Sequence, residues 1–432
     1  MRTMKILERQ RVFSHGLLAL SLLLAAAIQV PAQTPKAPQT PAKAPIRTIT
    51  AFVTVDRSRY QIQMAEAVKF LKYAETKFES RGYTVQTLRI ATQPFPEYTQ
   101  GMSHDDAIRF FKSLDALAEH EKVMISIGPA FLAEGDGDAQ ALLLADILKN
   151  TKSLFGSLVV TSSEKVNASA VKAAARVMKS LSETERSEGN FRFAAIASVP
   201  PYSPFFPAAY HTGSGRQFTI GLQSAGTVKT AFENAPDAEA AKRRLIDLFI
   251  TQAFDAEGVA SSIDQEQGWI YLGQDLSPAP SKDASIGEAI EILSKQPFGT
   301  SGTMTAVRVI TSALSEIGAR KVGYSGLMMP IAEDPRLAER WNGGGVSLEA
   351  LLSYSAVCGT GLDTVPLPGD TSVEEIARII SDVATLSVKW NKPLSARLLV
   401  IAGKQAGERT EFNNPNLIDV VLQPLKSGSS QK

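Results

Sequence analysis

The stretch Ser355-Ala-Val-Cys-Gly-Thr-Gly-Leu-Asp-Thr-Val-Pro-Leu-Pro-Gly-Asp370 links two helical patterns through a short extended run, and its reading decides the fold class. Ahead of it, Val346 to Tyr354 is apolar and helix-compatible, with Ser347 placed to cap the first turn. Behind it, Ser372-Val-Glu-Glu375 has the form of a capping box. Ile376, Ile379, Ile380, Val383 and Leu386 then recur at helical spacing. Cys358 therefore falls at a helix exit. Gly359 and Gly361 let the backbone turn, and Leu362 to Leu367 leaves as a short extended run limited by its prolines.

The same alternation extends outward. Arg47–Thr54 is β-rich, and Tyr60, Met64, Ala67, Val68, Leu71, Ala74 and Phe78 share one helical face. Strands are expected at Tyr83–Ile90, Val123–Ile127, Leu158–Thr161, Phe191–Ser198 and Phe218–Leu222. Helices are expected at His104–Ala118, Ala139–Leu148, Ala168–Leu181 and Thr227–Phe254. Strands separated by helices give an α/β architecture. Pro200–Pro207 breaks the pattern; its aromatics predict a loop packed onto the body. Gly299–Thr303 opens a helix running to about Ile317, and Glu333-Asp334-Pro335 precedes a helix at Arg336–Trp341.

The chain has 432 residues and a formal net charge of +1. Its first 32 residues read as a signal peptide: a basic n-region (Arg2, Lys5, Arg9, Arg11), an apolar Gly16–Ile28, and a small-residue cleavage site at Val30-Pro-Ala32. The expected location is outside the cytoplasm, periplasmic or secreted. Residues 33–45 read as a Pro/Ala/Lys linker, residues 46–425 as a single folded domain, and 426–432 as a flexible tail. Loss of the leader would leave a net charge of about −2, which with no basic–aromatic cluster argues against nucleic acid. No later apolar run is long enough to span a membrane. A single cysteine excludes an internal disulfide.

Several residues carry candidate chemistry. Cys358 is either a nucleophile on a cavity wall, with His211 as its base, or a small buried apolar residue. Gly299, Thr300, Ser301, Gly302 and Thr303 place amides and hydroxyls at a helix start, suited to an anion or to ordinary capping; the lysine of a Walker loop is missing. Arg397 and Lys404 either neutralise an anionic ligand or flank a strand. Ser325, Gly359, Thr360, Gly361 and Asp363 complete the candidate binding set. Glu333, Asp334, Asp363 and Asp370 offer general acid/base groups or hard-cation oxygens. Zinc is not expected, because there is no HExxH, CxxC or histidine cluster. The expected partner is a small anionic metabolite. No motif names a cofactor, and a homo-oligomer stays open.

The ordered motifs Arg47-Thr-Ile-Thr50, Pro204–Gly215 (PFFPAAYHTGSG), Asp275–Pro280 (DLSPAP), Gly299–Thr303, Gly323–Asp334 (GYSGLMMPIAED), Val357–Asp363 (VCGTGLD) and the run from Ala396 to Lys404 resemble the domain-of-unknown-function-711 family. The resemblance spans nearly the whole body. It implies a pyruvate-formate-lyase-like β/α barrel of about ten strands with helices outside, the fold of glycyl radical enzymes, and it brings no established reaction. The tail Gln423-Pro-Leu-Lys-Ser-Gly428 lacks the arginine-valine-x-glycine radical loop, so radical catalysis is not expected. Two functions therefore stand side by side: an enzyme using Cys358, and a non-catalytic ligand-binding or redox-sensing protein.

Overall fold

A computed structural model describes residues 43–132, 138–162 and 165–425. The leader, the linker up to Ala42 and the tail after Leu425 lie outside the described residues. Ala44 is already buried and the Pro45 carbonyl accepts from Gln223 N at 2.9 Å, so packing begins inside the expected linker.

The strands are β1 (Ile46–Val53), β2 (Leu88–Thr92), β3 (Met124–Phe131), β4 (Leu154–Val159), a two-residue hairpin β5 (Thr161–Ser162) and β6 (Lys165–Val166), β7 (Phe193–Ala197), β8 (Gln217–Leu222), β9 (Ile270–Asp275), β10 (Gly361–Pro368) and β11 (Leu394–Ile401). All but β5 and β6 join one sheet in the order β10-β11-β7-β4-β3-β2-β1-β8-β9. Within that sheet only the β1–β8 and β7–β11 pairs are antiparallel. A mostly parallel sheet needs crossovers. They are supplied by helices such as α1 (Tyr60–Ser80), α3 (His104–Glu121), α4 (Ala139–Lys149), α5 (Ala168–Leu181) and α12 (Val373–Trp390), with α2 the single turn Phe95–Thr99. The remaining helices are α6 (Ala225–Phe232), α7 (Ala238–Gln267), α8 (Ile286–Ser294), α9 (Thr303–Glu316), α10 (Pro335–Asn342) and α11 (Leu348–Ser355).

The helix signals around the opening stretch hold in detail. Ser347 caps α11 by accepting from Ala350 N, and Ser372 with Glu375 forms a complete capping box on α12. Four expectations shift. The second strand starts at Leu88, because residues 84–86 meet Ile46 through an isolated bridge. The third runs through Gly128-Pro129 instead of ending there; Gly128 takes φ 75°, and the register slips between Ser126 and Pro129. A bulge lets proline sit in a ladder. The fourth lies at Leu154–Val159, ahead of the expected Leu158–Thr161. The long helix expected at Thr227–Phe254 is two, α6 and α7, broken where Asn234 turns left-handed ahead of Pro236.

The edge strands β9 and β10 are touched by the same segment. Gln274 of β9 bonds the backbone at Arg320 and Val322, while Asp363 and Thr364 of β10 accept from Ile331 and Ala332. The described sheet thus has nine strands, with isolated bridges from residues 320–332 along both edges. Pro204–Pro207 packs against the sheet: Thr50 Oγ1 donates to Pro204 O at 3.0 Å, and Phe205 and Phe206 are buried.

Candidate functional site

A cavity of about 100 Å³ lies over the sheet. Its wall takes Arg47 from β1, Arg89 from β2, Met124 from β3, Phe155 from β4, Ala194 from β7, Arg397 from β11 and Asp363 from β10. Strands six places apart in the sheet order, β10 and β1, therefore line one space, which requires the sheet to curl strongly. The opposite wall comes from Phe205–Pro207, Ala279-Pro280 and the segment from Tyr324 to Glu333.

Two irregular strand pairings aim the charges. Between Ile46 and Thr48 the β1–β8 register slips, and Arg47 is the extra residue. Between Leu362 and Val365 the β10–β11 register slips as well, so that Asp363 and Thr364 stand opposite Arg397, with Thr364 at φ 44°. Bulges re-aim side chains in this way. Arg397 Nε then donates to Asp363 Oδ1 at 2.6 Å, and its Nη2 donates to Glu333 Oε1 at 2.5 Å. Its guanidinium also lies 4.8 Å from the Phe191 ring centroid. Burial works against the Arg397 charge, but Asp363 and Glu333 outweigh it and raise its pKa. Glu333 moves upward too, chiefly through burial, against the pull of Arg397.

Arg89 is different. It is 7 % exposed and has no acidic partner. Its Nε donates to Thr87 Oγ1 at 3.1 Å, Nη1 reaches Pro204 O at 3.5 Å, and the group stacks 4.9 Å from the Phe206 centroid. Burial, reinforced by repulsion from Arg47 and Arg397 and opposed in lesser measure by Glu333, pulls its pKa down to about 9. It remains a cation at neutral pH, with donors of its fork unspent. Arg47 is also under-compensated: Nη1 bonds Gln86, and Nη2 stays 4.0 Å from Glu333. Tyr324 borders the same space, its pKa raised chiefly by burial.

Of the residues expected from sequence, Thr360, Asp363, Arg397 and Glu333 meet at this cavity. The others are elsewhere. Cys358 is buried at 1 % exposure and is absent from the cavity wall; its Sγ accepts from Gly361 N at 3.4 Å. The expectation of a cavity-wall sulfur is thus not met, because the turn folds it into the core behind α11. His211 does not approach it. It is fully buried near Phe52 and Tyr202 where β1 and β2 end, and its main-chain N–H donates to Thr92 O. Neither ring nitrogen has a hydrogen bond; the backbones of Val53 and Gly213 face the ring without reaching bonding geometry, and burial lowers its pKa.

The glycines expected to offer free amides serve contact between backbones. A Cβ on Gly359 would overlap the Cα of Gly326, and Gly359 N donates to Leu327 O at 2.9 Å. Gly361, at φ 89°, abuts the Ser395 backbone. Ser325 is consumed locally: its N–H donates to Asp275 Oδ1, and its hydroxyl donates to Val322 O. Thr300, Ser301 and Gly302 are exposed at the start of α9, and Thr303 Oγ1 accepts from Gly299 N. None of Gly299–Thr303 lines the cavity with Arg397. Lys404 Nζ instead pairs with Glu411 and the Arg409 carbonyl. Asp334 caps α10 and accepts from Ser285 Oγ and Ile286 N, so its oxygens are committed to two helix starts. Asp370 is exposed, away from the cavity.

Sequence reading passed over Arg47, Arg89, Tyr324 and Ser395. A signal for Arg89 existed: a charge inside Leu88-Arg-Ile-Ala-Thr92 is costly unless it lines a polar space.

The chain is similar to several UPF0210 proteins. A UPF0210 protein of Pyrobaculum aerophilum is 33% identical, with 79% of each chain covered. Another, from Carboxydothermus hydrogenoformans, is 27% identical over 90% of this chain and 92% of its own. Among solved structures, the anaerobic ribonucleotide reductase of Thermotoga maritima covers 87% of this chain and 79% of its own, at 9% identity and a TM-score of 0.39. The family model described as "Uncharacterised ACR (DUF711)" matches residues 40–414, and the chain belongs to that family.

Proposed function

We propose that this protein binds a small anionic metabolite in the arginine-lined cavity. The observation that carries the reading is Arg89: a buried guanidinium without a carboxylate, close enough to Arg47 and Arg397 to feel their charge. Burying an uncompensated cation is expensive, and an anion between Arg89 and Arg47 removes that cost. Cys358 has no part in it, since its sulfur lies outside the cavity wall. We also read residues 1–32 as an export leader. Protein from the native host beginning near Gln33 supports that reading, and an intact Met1 on exported protein overturns it.

The test is calorimetric titration of small carboxylates and phosphates into wild type and Arg89→Met. A charge-assisted contact is worth about 1.5–3 kcal/mol, so the variant should lose roughly ten- to a hundredfold in affinity. The empty variant should melt no lower than wild type, because it sheds an unpaired buried charge. Undiminished anion binding by Arg89→Met, or ligands that are only neutral or cationic, overturns the proposal.

A further inference from the structure

We infer that the anion held here is a small monocarboxylate with an apolar body; the inference rests on the binding reading above and names its ligand class. Charge balance comes first. Three guanidiniums (Arg47, Arg89, Arg397) face two carboxylates (Glu333, Asp363), which leaves one positive charge in excess. Both acids bond Arg397 directly, and Glu333 approaches Arg47 only to 4.0 Å, so the excess sits at the Arg47–Arg89 end. A monoanion neutralises it. A dianion leaves a net negative charge among Phe155, Phe191 and Phe206, with desolvation uncompensated.

Shape comes second. Phe205, Ala279 and Met328 pack together as a separate apolar cluster, and all three line the cavity beside Pro280. The cavity thus pairs a cationic sheet side with an apolar loop side. A planar carboxylate accepts the fork of a guanidinium, and a hydrocarbon body fills the remainder. One water needs about 10–15 Å³ of such volume. About 100 Å³ then accommodates roughly seven to ten water-sized positions, the scale of a branched-chain or aryl monocarboxylic acid. Inorganic phosphate has no body to place against Met328 and Phe205.

Benzoate, isovalerate, acetate, malonate and inorganic phosphate are titrated into the full chain at one ionic strength. Benzoate or isovalerate should bind about tenfold or more tighter than acetate, malonate and phosphate. Malonate or phosphate as the tightest ligand overturns this inference and leaves the anion-binding reading standing. Binding of none of the five removes that reading, and this one with it. A second arm uses Asp363→Asn and, independently, Glu333→Gln. Each removes one negative charge, so each should move the ratio of malonate to isovalerate affinity about tenfold toward malonate. An unmoved ratio in a folded variant overturns the charge count.

Discussion

At the crossing of Gly323–Leu327 over Cys358–Gly361, backbone meets backbone around the engaged Asp275 and Lys392 side chains; in the adjoining cavity, two guanidiniums keep charge in reserve. At the crossing, Asp275 accepts from Ser277, Tyr324 and Ser325 main-chain N–H groups. Lys392 Nζ donates to the carbonyls of Ser355 and Cys358 that end α11. Gly326 and Gly359 touch through their Cα atoms. In the cavity, Arg397 is paired with two carboxylates, whereas Arg89 bonds only neutral oxygens and Arg47 reaches Glu333 only at 4.0 Å. The difference separates scaffold from site: saturated polar groups and close glycines hold the chain, and unspent charge awaits a ligand.

The largest effect expected from this contrast is at the crossing. In Gly359→Ala the new methyl meets Gly326 backbone, which has no rotamer by which to yield. Overpacking against side chains costs about 1–3 kcal/mol, and backbone overlap should reach or exceed the top of that range. Urea denaturation of Gly359→Ala checks this through its midpoint. A variant as stable as wild type would mean that the crossing is loose and its glycines are free to serve a ligand.

The α/β class, the capping of α11 and α12 and an extended run after Cys358 were legible because local periodicity and caps determine them. So was the family, through its ordered motifs. The site was legible only in part. Asp363 and Arg397 stood out as charges near glycine-rich sequence, yet their pairing depends on a register slip between β10 and β11 that no local pattern announces. Arg47 is likewise aimed by a slip against β8, a strand some 170 residues later by number. Gly299–Thr303 misled in the opposite direction: hydroxyls at a helix start resemble an anion cradle wherever the helix lies, and this one opens to solvent. Glycine carries no sign of whether its missing Cβ makes room for a ligand or for another backbone.

A smaller effect should follow pH. Burial raises the Glu333 pKa, opposed by Arg397, Arg47 and Arg89 and aided by Asp363. For a group raised on folding, protonation favours the folded state. That stabilisation is fully present below the ordinary glutamate value and is lost as pH rises through the folded one. Wild type should therefore gain on Glu333→Gln as both are acidified from neutrality. Asp275 and Asp334 are also raised by burial, but they are present in both proteins and drop out of the difference. Melting curves of the two proteins against pH read the sign. A gap that widens against wild type on acidification would place Glu333 among ordinary salt-bridged carboxylates.

The smallest effect on ligand binding should come from Cys358, despite its glycine-rich setting. The sulfur is buried, it accepts only a long bond from Gly361 N, and the cavity wall does not include it. Cys358→Ala removes one buried atom and should cost about 1 kcal/mol of stability, while anion affinity stays within experimental error of wild type. Iodoacetamide should label the native thiol slowly and the urea-unfolded thiol fast, since reaction of a buried sulfur requires opening of the α11 exit. Arg89→Met gives the opposite pattern, with affinity lost and stability kept. The pair of variants thus reads the two regions separately. Loss of anion binding in Cys358→Ala, or fast labelling of the folded protein that a bound anion slows, would merge the crossing with the cavity and return the cysteine to the site.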